Sequence, residues 1–421
     1  MKKILFISYY FAPYQMTGSL RAIRLTRYLP AFDIMPVILT GFEGKHHWNP
    51  ELMNGLSENI EIHRINNPLP NKYGKGGSFL YNKTSWLKNL RNKLVCIIKD
   101  IFFSPDICIL WSLRVIFIGY QLIKKYRIKH ILVTVGPYSP AITALILSKL
   151  TGVKYTIDFR DEWDNKKWRR QQSFIRNLSN RFWERACVRN AYAIFSVTQT
   201  MVNIFSQKYH DLKLNLLAHN GYDEIDIDFK IKKSEVKDPL IFAYAGKFDV
   251  HNTAYNPEML LRGFKLFLDN SSSNASLYVY SDVNDDTRNL IETLGLSDAV
   301  KLEGFLTRQD VLKQLTKADF FLQFYYPDIH KEAIGIKIYD YVSLRKPILA
   351  AVSEDSEINK FLSKTNSGLC CSGESFVNIA ETLCQILEFD QNYLFSKQHD
   401  EELNEYNFRT ITGYIAKILS D

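Results

Sequence analysis

Short β-rich runs alternate with helical patterns from one end of this 421-residue chain to the other, and that alternation restricts the fold more than any other feature. Runs rich in Val, Ile, Leu, Phe and Tyr fall at 4–8, 36–40, 60–65, 106–110, 130–135, 154–158, 193–197 and 215–219. A polar, charge-dense stretch at 223–238 interrupts the pattern, which restarts at 240–245, 276–280, 299–303, 318–324, 347–351 and 367–371. Strands that alternate with helices build βαβ units and parallel sheets, and a chain of this length has room for two cores. The expectation is an α/β protein with two doubly wound, Rossmann-like domains at 1–222 and 239–398, joined by a linker at 223–238 and followed by a closing helical segment at 399–421. Such sheets bind ligands outside the carboxyl ends of their strands, so two of them facing each other would enclose a central cleft.

Bulk properties narrow the class. A hydrophobic content of 46% and a charged content of 23% are those of an ordinary globular protein. No apolar run reaches the roughly 18 to 20 residues that span a bilayer, and the opening Met1-Lys2-Lys3-Ile4-Leu5-Phe6-Ile7-Ser8 turns polar too soon for a signal peptide. A cytoplasmic chain is expected. The six cysteines show no C-x-x-C spacing and mostly sit in apolar runs, which predicts reduced thiols and neither disulfides nor zinc. The net charge of +8 suggests an anionic partner: nucleotide phosphates, an acidic lipid surface or nucleic acid. No nucleic-acid recognition motif accompanies that charge, so nucleic acid is not expected.

The chemistry concentrates in Lys331-Glu332-Ala333-Ile334-Gly335-Ile336-Lys337-Ile338-Tyr339-Asp340-Tyr341, followed by Arg345-Lys346-Pro347. Two carboxylates, Glu332 and Asp340, stand eight residues apart, with a glycine after the first and a helical pattern leading to the second. A helix starting near Gly335 would offer unpaired N–H groups and a positive dipole end to a diphosphate. The carboxylates on either side could accept hydrogen bonds from sugar hydroxyls, one from a hexose and one from a ribose. This is the layout of a sugar-nucleotide site. The segment closely resembles the signature of glycosyltransferase family 4 in its "Glu, seven residues, Glu" form, with Asp340 in place of the second Glu.

Other segments carry the resemblance across nearly the whole chain. Tyr9 to Arg21, with Gly18 and no G-x-G-x-x-G, resembles the family's opening strand and glycine-bearing loop, which approaches donor diphosphate and acceptor; a nicotinamide enzyme is not expected. Asp158-Phe159-Arg160-Asp161-Glu162-Trp163, preceded by Tyr138-Ser139-Pro140, resembles an Asp-Phe-Arg-Asp-Pro-Trp motif of one family branch, with Glu162 replacing the proline. Because the run follows an expected strand, Arg160 and Asp161 should emerge at the sheet's carboxyl edge, with Asp161 an acceptor-hydroxyl contact or base and Arg160 its partner or a phosphate contact. Asn220-Gly221-Tyr222-Asp223 is similar to the turn that closes the family's first domain. Gly246-Lys247-Phe248 resembles the strand-to-loop element that gives a basic side chain to the donor phosphate, so the clamp rests on Lys247, or on Arg160 or Lys337 from elsewhere. Glu303-Gly304-Phe305-Leu306 matches the strand end whose backbone reads the base, with Tyr280 at the neighbouring strand end; these identities do not select uracil over guanine.

The resemblance implies a GT-B fold whose closing helix crosses back onto the first domain. It implies a retaining transfer that stabilises the departing diphosphate and requires no covalent nucleophile; no metal is expected, because the D-x-D at 226–228 falls in the expected linker. Catalytic candidates are Glu332, Asp161 and Arg160. Donor-binding candidates are Gly18, Gly246, Lys247, Tyr280, Phe305, Leu306, Ala333, Ile334, Gly335, Lys337 and Asp340, and acceptor-binding candidates are Tyr14, Arg21 and Tyr138. The partners expected are a nucleotide-sugar donor and a glycan or polyprenyl-linked acceptor of a bacterial surface polysaccharide. A non-hydrolysing sugar-nucleotide epimerase on the same fold, or a non-catalytic membrane-surface protein, is the alternative.

Two basic, aromatic-bearing stretches at 86–99 and 166–189 add the expectation of a peripheral site on the inner face of the cell membrane. Asp226-Ile227-Asp228 is a D-x-D, which in the expected linker reads as solvated charge, and Gly74-Lys75-Gly76-Gly77 lacks the length of a P-loop.

Overall fold

The structure, a computed structural model, describes residues 1–42, 48–68, 103–163, 173–227, 239–271, 274–325 and 331–420. The chain folds into two compact units, one formed by 1–218 and 411–421 and the other by 219–410.

The first unit is built on a seven-stranded parallel sheet: β1 (Lys2–Ser8), β2 (Ile34–Phe42), β3 (Glu61–Asn66), β4 (His130–Val135), β5 (Lys154–Phe159), β6 (Ala193–Ser196) and β7 (Asn215–Leu217), in the order β3-β2-β1-β4-β5-β6-β7. Its central strands are apolar on both faces, as they must be when helices cover both sides; every residue of β4 is buried. Register is shared across the middle, with Ile7 opposite Leu39 on one side and Val133 on the other. Five described helices accompany the sheet: α1 (Thr17–Tyr28), α2 (Ile109–Tyr126), α3 (Ser139–Thr151), α4 (Phe174–Asn190) and α5 (Gln199–Lys208). Helix α3 has Pro140 in its first turn and Gly152 in the left-handed region just past its end, a start and stop the backbone chemistry favours.

One expected strand is a helix start. Residues 106–110 lead into α2, whose Trp111, Ser112, Val115, Gly119 and Leu122 are buried at helical spacing. The Asp106 carboxylate accepts from the Cys108, Tyr138 and Ser139 N–H groups at 3.0, 2.7 and 3.0 Å. It thereby holds its own turn and the start of α3 together, which a strand geometry would forbid.

The second unit has a six-stranded parallel sheet of β8 (Leu240–Ala245), β9 (Ala275–Tyr280), β10 (Val300–Leu302), β11 (Phe320–Phe324), β12 (Ile348–Ala351) and β13 (Gly368–Cys371), in the order β10-β9-β8-β11-β12-β13. Its helices include α6 (Glu258–Asn270), α7 (Asp285–Thr293), α8 (Arg308–Leu315), α9 (Ile336–Ser343), α10 (Glu357–Thr365), α11 (Phe376–Gln385) and α12 (Lys397–Leu403). Apolar clusters lie on the two faces of the sheet, one around Phe242, Phe264 and Leu349, the other around Phe321, Ile338 and Tyr341.

The unit boundaries differ from those expected. Residues 219–227 open the second unit, because the Tyr222 N–H donates to the Tyr406 carbonyl at 3.0 Å and the Phe408 N–H donates to the Tyr222 carbonyl at 3.0 Å. The Asn220–Asp223 turn therefore starts this unit and does not close the preceding one. Residues 399–410 stay here too, since Leu403 and Tyr406 are buried in the apolar cluster around Tyr339. Only from Ile411 does the last helix, α13 (Phe408–Ser420), pack with the first unit, where Tyr414 meets Phe195 edge-on and Gly413 lies against Phe32.

Arg21 is placed by the fold and not for an acceptor. It is 1% exposed; its Nε and Nη2 reach Asp158 at 2.8 and 2.7 Å, and Nη2 also donates to the Ala218 carbonyl at 2.9 Å. Asp158, on β5, is fully buried. Removing one member of a buried pair strands the other charge, at a cost of about 3–5 kcal/mol. Arg21→Met and Asp158→Asn are each expected to lower stability by that order in urea unfolding, with an Arg21→Met/Asp158→Leu double variant recovering most of it. Single variants as stable as the parent would show that the pair does not anchor α1.

Candidate functional site

In the second unit the strand order reverses between β8 and β11, so the loops leaving these strands meet at one sheet edge. β8 runs into Gly246 at φ +138°, a region that side-chain-bearing residues avoid. A Cβ there would stand 3.0 Å from Lys337 Nζ and 3.4 Å from the Tyr244 hydroxyl, so a larger residue would be strained by its φ and would crowd the lysine. Helix α9 begins at the same edge with Gly335 as its N-cap, where a Cβ would meet the Tyr325 hydroxyl at 2.8 Å. Tyr341 fastens the helix: its ring stacks on Phe321 with centroids 4.4 Å apart, and its hydroxyl accepts the Ala245 N–H at 2.8 Å. Ile334 and Ile338 bury themselves in the same apolar cluster.

Lys337, in the first turn of α9, sits in an aromatic cage. Its Nζ donates to the Tyr244 hydroxyl at 3.0 Å and lies 4.2 Å from that ring's centroid and 5.9 Å from those of Tyr255 and Tyr325. Ring faces attract a cation, but among the described residues no carboxylate pairs with this one. Burial drives the ammonium down to about 7. Such an amine takes up a proton readily when an anion comes within reach. Lys247 is the opposite case: its side chain is exposed, while its carbonyl accepts the Tyr244 hydroxyl at 2.8 Å. Tyr244 therefore ties both lysines to one loop.

The carboxylates are held differently from one another. Glu332 and Ala333 are half-buried ahead of Gly335. Asp340 is engaged inside the unit, its Oδ1 accepting from Arg308 Nη2 at 2.5 Å, and Arg308 Nη1 stands 3.1 Å from Asp226. This corrects the expectation that Asp226 is solvated charge: it is 11% exposed, ends a short 3₁₀ turn (Glu224–Asp226) and neutralises Arg308; Asp228 lies outside the described residues. Arg308 was not singled out in the sequence. The only sign there is Thr307 followed by Asp310, whose helix cap places Arg308 at the first position of α8. Tyr280 is buried at the end of β9, its hydroxyl pushed up to about 12 by that burial, and the Gly246 N–H donates to its carbonyl at 3.3 Å. Phe305 projects into solvent at 73% exposure, and Leu306 packs against the cluster behind it.

The first unit has its own switch point, between β1 and β4. Arg160 occupies it. Nε donates to the Val135 carbonyl at 3.0 Å and Nη2 to that of Gly136, while Nη1 would lie 2.6 Å from a Cβ at Gly18. Gly136 itself has φ +107°. Gly18 thus lies in the first turn of α1 and not in a free loop, and what its backbone approaches is a guanidinium. Burial lowers the Arg160 pKa and the neighbouring Asp161, which is exposed, raises it. Tyr138 is packed: its ring stacks on Trp163 at 5.0 Å, its hydroxyl donates to the Glu162 carbonyl at 2.7 Å, and burial raises its pKa. Tyr14 stacks on Tyr10 at 5.9 Å. Of the acceptor candidates, then, Arg21 is withdrawn by its buried ion pair, and Tyr14, Tyr138 and Asp161 remain at the sheet edge.

Comparisons with known proteins follow this geometry. Residues 226–407 match the model of the family described as "Glycosyl transferases group 1". No curated protein matches the sequence. Among solved structures, a glycosyltransferase from Rickettsia africae is similar at TM-score 0.65 and 12% identity, covering 100% of this chain and 98% of its own. Anabaena HepE, solved with UDP and glucose, is similar at TM-score 0.64 and 16% identity over 100% of both chains. A Listeria monocytogenes protein assigned as a UDP-N-acetylglucosamine 2-epimerase reaches TM-score 0.58 at 12% identity, over 98% of this chain and 95% of its own.

Lys337 gives a test independent of any ligand. Its depressed pKa means that the folded protein disfavours the protonated amine. That cost is absent above about 10.5, grows as pH falls and is complete below about 7. Lys337→Met is expected to stabilise the protein by on the order of 1 kcal/mol below pH 7, with the gain vanishing toward pH 10. Thermal midpoints across that range read it directly, and a pH-independent difference would exclude a desolvated amine.

The second unit carries the match to the group 1 glycosyltransferase model, the two parallel-sheet units have the GT-B fold, and the chain is a glycosyltransferase enzyme.

Proposed function

We propose that this enzyme is a retaining transferase of glycosyltransferase family 4, which moves a sugar from a nucleotide-sugar donor to a glycan or polyprenyl-linked acceptor during assembly of a bacterial surface polysaccharide such as capsule, O-antigen or exopolysaccharide. The observation that carries the donor half is the meeting of Gly246, Lys337 and the start of α9 at the switch point of the second sheet. HepE, with UDP and glucose bound on a similar fold, supports a nucleoside diphosphate sugar as donor.

In this reading negative charge grows on the diphosphate as the glycosidic bond breaks, and fixed positive charge at that point lowers the barrier. Lys337 supplies it from the cage and Lys247 from the loop, with the first N–H groups of α9 completing the cradle. The arriving diphosphate restores the proton that burial removes from Lys337. Glu332 orients the hexose through its hydroxyls, and Asp340, aligned by Arg308, takes the ribose side. Tyr280, Phe305 and Leu306 border the base. In the first unit Asp161 orients or deprotonates the acceptor hydroxyl, Arg160 holds the loops around it, and Tyr14 and Tyr138 border the acceptor. The lysines provide the charge that a metal supplies elsewhere, so no metal or other cofactor is assigned. The enzyme would work in the cytoplasm, peripherally on the inner face of the membrane.

Epimerases share this fold, so the reaction class needs its own test. Incubated with donor alone, an epimerase interconverts two sugar isomers, whereas a transferase leaves the sugar unchanged or hydrolyses it slowly. Glu332→Gln is expected to lower transfer at least about a hundredfold with an unchanged thermal midpoint. Lys337→Met and Lys247→Ala should each weaken nucleoside diphosphate binding about tenfold by calorimetry and leave the free nucleoside unaffected, because the lost charge acts on phosphate alone. Equal losses for both ligands would make the lysines structural.

A further inference from the structure

The surface that meets the membrane can be specified beyond the stretch at 86–99, which lies outside the described residues. On α2, Leu113, Phe117 and Tyr120 recur at helical spacing and stand 52, 67 and 38% exposed; on α4, Phe174, Leu178 and Phe182 do the same at 80, 59 and 63%. Single exposed apolar residues are ordinary, but two stripes of three, each aligned along a helix, are not. Both helices pack against α3 on the same side of the sheet. Near the start of α2 they touch, Ser104 Oγ lying 2.6 Å from Ser179 Oγ and Arg176 donating to the Pro105 carbonyl at 3.2 Å. The stripes therefore belong to one outer face.

The exposed charge on these helices has a single sign, and the nearby Asp211 carboxylate is taken up by Arg189 at 2.5 Å. Glu184 is the only acidic residue in α2, α3 and α4, and it is buried, accepting from Lys208 at 2.6 Å and Tyr209 at 3.0 Å. The exposed basic side chains include Arg114 and Lys124 on α2 and Arg181 and Arg185 on α4, with Arg181 and Arg185 one turn apart beside the apolar stripe. Lys124 lies 5.6 Å from the Tyr120 ring centroid. Apolar groups rimmed by cations, with no exposed carboxylate on the same helices, repel a second copy of themselves and suit a sheet of anionic headgroups over an apolar layer. Among the described residues no helix is long and apolar enough to cross a bilayer, so the contact would be made from the surface.

We infer that the outer faces of α2 and α4 form a docking surface for an anionic lipid bilayer, with Phe117, Phe174, Leu178 and Phe182 entering the headgroup boundary and Arg181 and Arg185 pairing with lipid phosphates. This deepens the peripheral-membrane reading above and rests on it.

Cosedimentation of the full chain with vesicles of phosphatidylcholine, with and without phosphatidylglycerol, tests it. The parent should bind the anionic vesicles at low ionic strength and lose them as salt rises. Arg181→Glu/Arg185→Glu and, separately, Phe117→Ser/Phe182→Ser should each weaken partitioning at least about tenfold, with thermal midpoint and nucleoside diphosphate binding unchanged. Parent and variants binding anionic vesicles alike would overturn this face while leaving a peripheral enzyme. No binding by the parent, or equal binding to neutral vesicles, would overturn both. A parent that elutes as a dimer, and becomes monomeric on Phe117→Ser/Phe182→Ser without binding vesicles, would assign the face to a second copy instead. Nucleoside diphosphate binding, measured alongside, keeps the glycosyltransferase reading separate from all of these.

Discussion

A parallel sheet has to be covered on both faces, and almost everything else in this protein follows from that requirement. Consecutive parallel strands need a crossover of one hand, so a chain that keeps adding strands in one direction covers only one face. Each unit solves this by starting in the middle, at β1 and at β8, building outward and then returning to the other side of its first strand. The return leaves a gap between neighbouring loops at the carboxyl edge. Gly18, Gly136 and Arg160 fill one such gap, and Gly246, Tyr325 and Lys337 fill the other. Glycines recur there because a cation occupies the space a side chain would need.

The two cations are treated in opposite ways. Arg160 is satisfied by backbone carbonyls and stays charged, so it acts as a fastener of loops. Among the described residues Lys337 is given aromatic faces and one hydroxyl but no carboxylate. A buried amine without a counter-ion is costly to keep.

Much of the architecture could be read from the sequence because buried parallel strands announce themselves as short apolar runs. β8 begins and ends where the pattern says, at Leu240 and Ala245. The run at 106–110 failed because apolar character alone does not distinguish a strand from the first turn of a buried helix, and the deciding contact, Asp106 to the start of α3, spans about thirty residues. Among the candidate site residues, Gly335 and Lys337 were legible within one local motif and Gly246 within another. The cage around Lys337 was not, since Tyr244, Tyr255 and Tyr325 come from three separate segments. Arg21 was misread because proximity to a glycine-bearing loop in sequence says nothing about a carboxylate 137 residues away. The link from Asp226 through Arg308 to Asp340 was hidden for the same reason.

That last link bears on how this domain could be detached or exchanged. Arg308 is shared between a carboxylate on α9 and one supplied by the segment leading into the unit, and all three side chains are largely buried. A second domain cut to begin at its first strand, Leu240, would keep Arg308 and Asp340 and lose the counter-charge of Asp226. The guanidinium would then draw wholly on Asp340 and turn that carboxylate away from any other partner. In a fold whose halves are readily imagined as interchangeable modules, the natural seam lies upstream of Asp226, and a recombination event that misses it carries an electrical imbalance straight into α9.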